Sequence, residues 1–153
     1  INGALTIGTL DGANVEMLAA CGKENMFIFG LTADEVEKQW LAGYNSALCC
    51  VNNKRLNDAI NALRNGFAGE NFTEIANYLL AGHGVADPYM CLADFDSYTR
   101  VHDRLMREYD DPEKWNRMSL MNIASAGYFA ADRSITEYAD NIWHLERITL
   151  DED

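Results

Sequence analysis

The residues best placed to do chemistry are Gly8-Thr9-Leu10-Asp11-Gly12, between a short apolar run from Leu5 to Gly8 and a helix-forming stretch that starts at Ala13. A loop that leaves a strand and opens a helix offers free backbone N–H groups and the positive end of the helix dipole, a combination that can hold a phosphate. The glycines lack the G-x-G-x-x-G spacing of a dinucleotide loop. In a parallel sheet the carboxyl ends of the strands face the ligand crevice. Thr9, Asp11 and Asn14 are therefore candidates for supporting a bound ligand from behind, and Asn2, just upstream, is a fourth. Asp and Asn in such places also serve turns and helix caps, which is their commoner use.

The remaining reactive residue types form no constellation. His83, His102 and His144 lie far apart, without a serine or cysteine nucleophile context and without an H-E-x-x-H pattern. The pairs Asp94/Asp96 and Asp110/Asp111 flank expected helix starts, where capping and the dipole account for them. Cys21, Cys49, Cys50 and Cys91 show neither C-x-x-C spacing nor a matching histidine pair, so sequence order builds no zinc site and no redox motif. They read as small buried hydrophobes of a reducing compartment, which implies a cytoplasmic protein. Asn71-Phe72-Thr73 matches a glycosylation sequon but reads as a helix N-terminus. Tyr98, Tyr109, Trp115, Tyr138 and Trp143 follow helix stripes and read as packing rather than as a sugar-stacking platform.

Charge narrows the partners. Twelve Lys and Arg against 24 Asp and Glu give a formal net charge of −12, which repels nucleic-acid phosphates and anionic lipids. No uncharged run approaches the ~20 apolar residues that a membrane helix needs. At 153 residues the chain suits a single domain, and no Gly-, Ser- or Pro-rich linker divides it.

The pattern along the chain predicts a strand at Leu5 to Gly8, a turn at Asp11-Gly12 and a helix from Ala13 to Ala20 that ends at Gly22. Met26-Phe27-Ile28-Phe29 is uninterruptedly apolar, as a strand covered on both faces must be. These elements make one β-α-β unit. Thr32-x-x-Glu35 opens a capping-box helix with Val36, Trp40 and Leu41 on its apolar face. Beyond Asn53 the signal is helical: Leu56, Ile60 and Leu63 stripe a helix stopped by Gly66, and Phe72, Ile75, Ala76, Leu79 and Leu80 stripe one stopped by Gly82. A short extended stretch at Tyr89 to Leu92, a third strand in prospect, precedes a long helix from Asp94 to Tyr109. Asp111 with Pro112 starts a helix that reaches Gly127, and Ser134-x-x-Glu137 caps a last one that buries Ile135, Tyr138, Ala139, Ile142 and Trp143. Two strands and a thick helical layer are too little sheet to close a core.

Two ordered blocks carry a family resemblance. The first is Ile1-Asn2-Gly3-Ala4-Leu5-Thr6-Ile7-Gly8-Thr9-Leu10-Asp11-Gly12-Ala13-Asn14-Val15-Glu16-Met17, running on to Asn25-Met26-Phe27-Ile28-Phe29-Gly30. The second comprises Leu92-Ala93-Asp94-Phe95-Asp96-Ser97-Tyr98, Asp111-Pro112-Glu113-Lys114-Trp115, Asn122-Ile123-Ala124-Ser125-Ala126-Gly127-Tyr128-Phe129 and Asp132-Arg133-Ser134-Ile135-Thr136-Glu137-Tyr138-Ala139-Asp140-Asn141-Ile142-Trp143. Together they resemble the C-terminal part of the α-glucan phosphorylases, the glycogen, starch and maltodextrin family.

The resemblance implies an α/β fold in which residues 1–153 are one partial domain, the C-terminal part of a nucleotide-binding-like (GT-B type) domain whose other strands lie upstream. It implies phosphorolysis of α-1,4-glucan by inorganic phosphate to α-D-glucose 1-phosphate. Pyridoxal phosphate serves that reaction in the parent protein through its 5′-phosphate, and its anchoring lysine would fall three residues before Ile1. No catalytic residue of the family carries over onto a numbered position here, so the isolated chain is expected to bind no cofactor and to be inactive. Its expected partners are the remainder of the phosphorylase chain and, with its sheet left open, other copies of itself. The alternative is a stand-alone helical binding or regulatory module derived from a phosphorylase.

Overall fold

A computed structural model describes residues 2–51, 53–80 and 84–146. Strand β1 (Ile7–Thr9) leads through Gly12 into helix α1 (Ala13–Cys21), and a short 3-10 turn at Lys23–Asn25 returns the chain to β2 (Phe27–Phe29). The strands pair in parallel, Ile7 opposite Phe27 and Thr9 opposite Phe29, and among the described residues they are the whole sheet. The β-α-β unit is thus as the apolar runs imply, with β1 two residues later than expected. The extended stretch at Tyr89 to Leu92 is not a strand. Met90 turns into the left-handed region at φ 55° and a helix begins at the next residue.

Helices α2 (Ala33–Leu41), α3 (Ser46–Val51), α4 (Lys54–Asn65), α5 (Thr73–Leu80), α6 (Cys91–Tyr109), α7 (Pro112–Ala124) and α8 (Ala131–Tyr138) follow. Local chemistry sets many of their ends. Thr32 and Glu35 exchange the reciprocal bonds of a capping box at α2, Asn53 caps α4 through the Leu56 N–H, and Asp111 caps α7 through the Lys114 N–H. At the sequon, Asn71 Oδ1 accepts the Thr73 N–H and α5 begins there. The expected stop at Gly82 lies outside the described residues, as does His83.

Helix α6 is the spine, packing on β2 on one side and on α3 on the other. Two cores flank it. Leu56, Ile60, Ala76 and Leu92 form one, with Cys49, Cys50, Leu63, Leu79, Leu80 and Phe95 packed against it. The other surrounds β2, where Phe27 is fully buried, stacks on Trp115 at 6.2 Å and lies 4.7 Å beneath the Arg104 guanidinium. Arg104 also donates to the Met26 carbonyl at 3.0 Å, Asn122 to the Asn25 carbonyl at 2.9 Å and Ser119 to the Gly3 carbonyl at 2.7 Å, which ties α6 and α7 to the β-α-β unit.

Several apolar stripes do not find a core. Leu41 is 82% exposed, and Ile75, Ile135, Tyr138, Ile142 and Trp143 are about half exposed or more. The last helix starts at Ala131 on an uncapped Ala130, three residues ahead of the expected Ser134-x-x-Glu137 box, and after Tyr138 it loosens into a π-turn at Ala139–Trp143. Helix α7 likewise stops at Ala124 and tightens into a 3-10 turn over Ser125–Phe129 instead of reaching Gly127 as an α-helix. No helix among the described residues is long and apolar enough to cross a membrane.

Candidate functional site

The carboxyl ends of β1 and β2 lie side by side, and their exit loops form the candidate site. At the end of β1 the Thr9 carbonyl accepts Asn14 Nδ2 at 2.8 Å, and the Asp11 carbonyl accepts the Asn14 N–H at 3.0 Å. Gly8 makes this closure possible, since a Cβ there would come within 2.7 Å of Asn14 Nδ2. Asn14 therefore spends its amide on the loop itself. Asp11 is exposed, and Asn2, also exposed, holds the Ala4 N–H at 3.1 Å in a local turn. Of the four candidates the structure brings Thr9, Asp11 and Asn14 together as one closed turn and leaves Asn2 outside it.

At the end of β2, Gly30 turns at φ +83° and its N–H donates to Ser97 Oγ at 3.0 Å; the next N–H, of Leu31, donates to Asp94 Oδ1 at 2.8 Å. A Cβ on Gly30 would come to 2.8 Å from Asp94 Cγ, closer still to Oδ2, and to 3.0 Å from Thr9 Cγ2. The Thr9 methyl, the Gly30 backbone and the Asp94 carboxyl thus meet where the two loops leave the sheet. Asp94 is only 6% exposed. Burial pushes its carboxyl above the usual carboxylate range, with the charges of Asp87 and Glu35 adding to the rise and the Leu31 N–H opposing it. Glu35, in the capping box, is held below its ordinary value chiefly by the Thr32 N–H.

Asp94 and Ser97 are what sequence reasoning missed. Asp94 does lie in the first turn of α6, as expected, but its carboxyl reaches the loop after β2 rather than capping its own helix, and Asp96 accepts from Asn53 Nδ2 at 2.7 Å. The helix is capped by Asp87, fully buried at φ 47°, whose carboxylate accepts the N–H groups of Cys91 and Leu92 and the Tyr44 hydroxyl, each at 2.8 Å. The one signal was Gly30 itself, a glycine directly after an apolar strand, which often marks close approach of another group.

Chemically the site is a scaffold. His102 packs on Tyr98, and His144 bonds the Asp140 carbonyl. Neither exit loop carries a Lys or Arg, and no cluster of metal-ligating side chains occurs among the described residues. All four cysteines are free, but of the four expected in the core only Cys21 is buried, Cys49 and Cys50 being half-buried and Cys91 exposed; desolvation raises the thiols of Cys21, Cys50 and Cys91, which keeps them protonated and weakly nucleophilic.

A family model described as carbohydrate phosphorylase matches residues 1–145. The chain is 40% identical over 151 residues to a glycogen phosphorylase of Synechocystis, with 99% of the chain aligned, and 41% identical over 150 residues to the liver form of human glycogen phosphorylase, with 95% aligned. A glycogen phosphorylase of Chlamydia pneumoniae is 40% identical over 149 residues. The chain spans only 18% of the Synechocystis protein and 17% of the human one. With a family match over residues 1–145 and about 40% identity to glycogen phosphorylases along nearly its whole length, the chain belongs to the carbohydrate phosphorylase family.

Proposed function

We propose that residues 1–153 are the C-terminal portion of the catalytic domain of a cytoplasmic phosphorylase, and that the full protein uses phosphate to cleave α-1,4-glucan to α-D-glucose 1-phosphate. The observation that carries this reading is the family match over residues 1–145, in a chain that spans less than a fifth of its relatives. The open two-stranded sheet supports it, because strands of this buried type require neighbours on their edges and faces. The GT-B type architecture belongs to the same proposal.

The chain's own residues do not fit the pyridoxal phosphate that the family implies. Its four lysines are Lys23, Lys38, Lys54 and Lys114, and none stands on a loop at the carboxyl edge. Lys54 pairs with Asp58 and Lys114 with Glu108. The anchoring lysine and the cations that grip phosphate are therefore assigned to the upstream part. Residues here hold loops: Asn14 closes the β1 exit through Thr9 and Asp11, and Asn2 orders the approach to β1.

The test is glucose 1-phosphate release from α-1,4-glucan and inorganic phosphate by the full polypeptide and by residues 1–153 alone. Activity of the former and none of the latter is expected. Turnover by the isolated chain, or a stoichiometric Schiff base on one of its four lysines after incubation with pyridoxal phosphate, would overturn the assignment.

A further inference from the structure

We infer that Asp94 and Ser97 are positioning residues for phosphorolysis: from one face of α6 they clamp the β2 exit loop against the β1 exit loop and so fix the carboxyl edge of the sheet. The inference rests on the function proposed above. Both residues lie on the long helix, one turn apart, and each takes one of two consecutive backbone N–H groups, those of Gly30 and Leu31. Consecutive donors bound to two side chains of one rigid helix leave the loop no freedom to slide. Gly30 makes the approach possible, because any side chain there would strike Asp94 and Thr9. Thr9 is in turn tied to Asn14 and hence to the first turn of α1. The contact therefore passes from α6 through β2 to the loop after β1.

The cost of this arrangement marks it as more than packing. A carboxyl group on a residue at 6% exposure is unfavourable, and one backbone N–H on Oδ1 offsets only part of that cost. An apolar residue at this helix position would be cheaper if the only requirement were to fill space. Loops at the carboxyl ends of parallel strands are where α/β proteins bind ligands, and small displacements of such loops cost ~10²-fold in rate.

The experiment uses the full polypeptide with Asp94→Ala, Asp94→Asn and Ser97→Ala. Steady-state kinetics in phosphate and glucan are measured well below each variant's melting temperature and normalised to folded enzyme. Asp94→Ala is expected to lower kcat by about 10²-fold with KM for glucan little changed. Asp94→Asn keeps an acceptor for the Leu31 N–H and should recover at least a tenth of the wild-type kcat, and Ser97→Ala should fall between. Full kcat in folded Asp94→Ala, or losses that track melting temperature alone and vanish on cooling, would overturn the positioning role. If Asp94→Ala does not fold, Ser97→Ala decides by the same criterion. A wild-type polypeptide without phosphorolytic activity would instead overturn the function on which the inference rests.

Discussion

Asp87 offers the sharpest test of how the helical half is held. Its carboxylate satisfies the first two N–H groups of α6 and the half-buried Tyr44 hydroxyl, while its own backbone sits at φ 47°. Tyr44 remains a neutral donor, because burial first, and the bond to Asp87 second, push its hydroxyl far above the usual range. Replacing Asp87 by Ala removes a helix cap, about 1.5 kcal/mol, and leaves the Tyr44 hydroxyl with the weak Cys49 Sγ contact at 3.7 Å in place of a carboxylate, about 1.5 kcal/mol more. A Cβ without a polar head in the left-handed region adds about 1 kcal/mol. Asp87→Ala should thus cost about 4 kcal/mol, and Asp87→Gly, which loses the same bonds but accepts the backbone angle, about 3 kcal/mol.

That order is the diagnostic. At an ordinary position Gly destabilises relative to Ala by ~1 kcal/mol, so the ranking here is inverted. Urea melts of residues 1–153, read from the midpoint at constant slope, measure both losses. Adding Tyr44→Phe to each variant closes a double-mutant cycle, in which coupling of about 1 kcal/mol between positions 44 and 87 is expected. A loss below 1 kcal/mol for Asp87→Ala, or Asp87→Gly less stable than Asp87→Ala, would refute the capping account.

Four further outcomes are expected. Gly30→Ala should cost about 3 kcal/mol by the same melts, from positive φ plus the collision with Asp94 and Thr9, against a fraction of that if the loop simply moves aside. Trp143→Ala should cost less than about 1 kcal/mol, because Trp143 is 55% exposed, where a buried tryptophan would cost about 3–5 kcal/mol. Asp94, whose folded carboxyl titrates above its ordinary 3.8, contributes stability that is complete below that pH and is lost as pH rises through the folded value; Asp94→Asn should therefore gain on the wild type across this window, and a pH-independent difference would contradict the shift. The isolated chain is expected to self-associate more strongly as salt screens its charge of −12, and a compact monomer at ~100 µM in sedimentation at both low and moderate salt would contradict an open sheet with exposed apolar faces.

What was legible in the sequence is what a few neighbouring residues decide. The capping box at Thr32, the caps at Asn53 and Asp111, the glycines after α1 and α4 and the β-α-β unit all follow from contacts within one or two turns. Asp94 to Leu31 and Asp87 to Tyr44 join residues 63 and 43 positions apart, and no local pattern announces them. The stretch expected to extend fails for a local reason: Asp87, four and five residues upstream, takes the N–H groups of Cys91 and Leu92 and starts a helix there.

The misjudged stripes are a different matter. Ile135, Tyr138, Ile142 and Trp143 have helical spacing and so ask to be buried, yet they stand exposed, with Tyr138 stacked on Trp143. Helix α1 asks the same in another form: Glu16 is its single charge and Cys21 its single buried residue, so it is apolar nearly all round with little to cover it. Periodicity reports that a face is apolar and says nothing about which chain covers it. The chain spans less than a fifth of its relatives, and uncovered apolar faces of this kind fit the proposal that the rest of a longer polypeptide covers them.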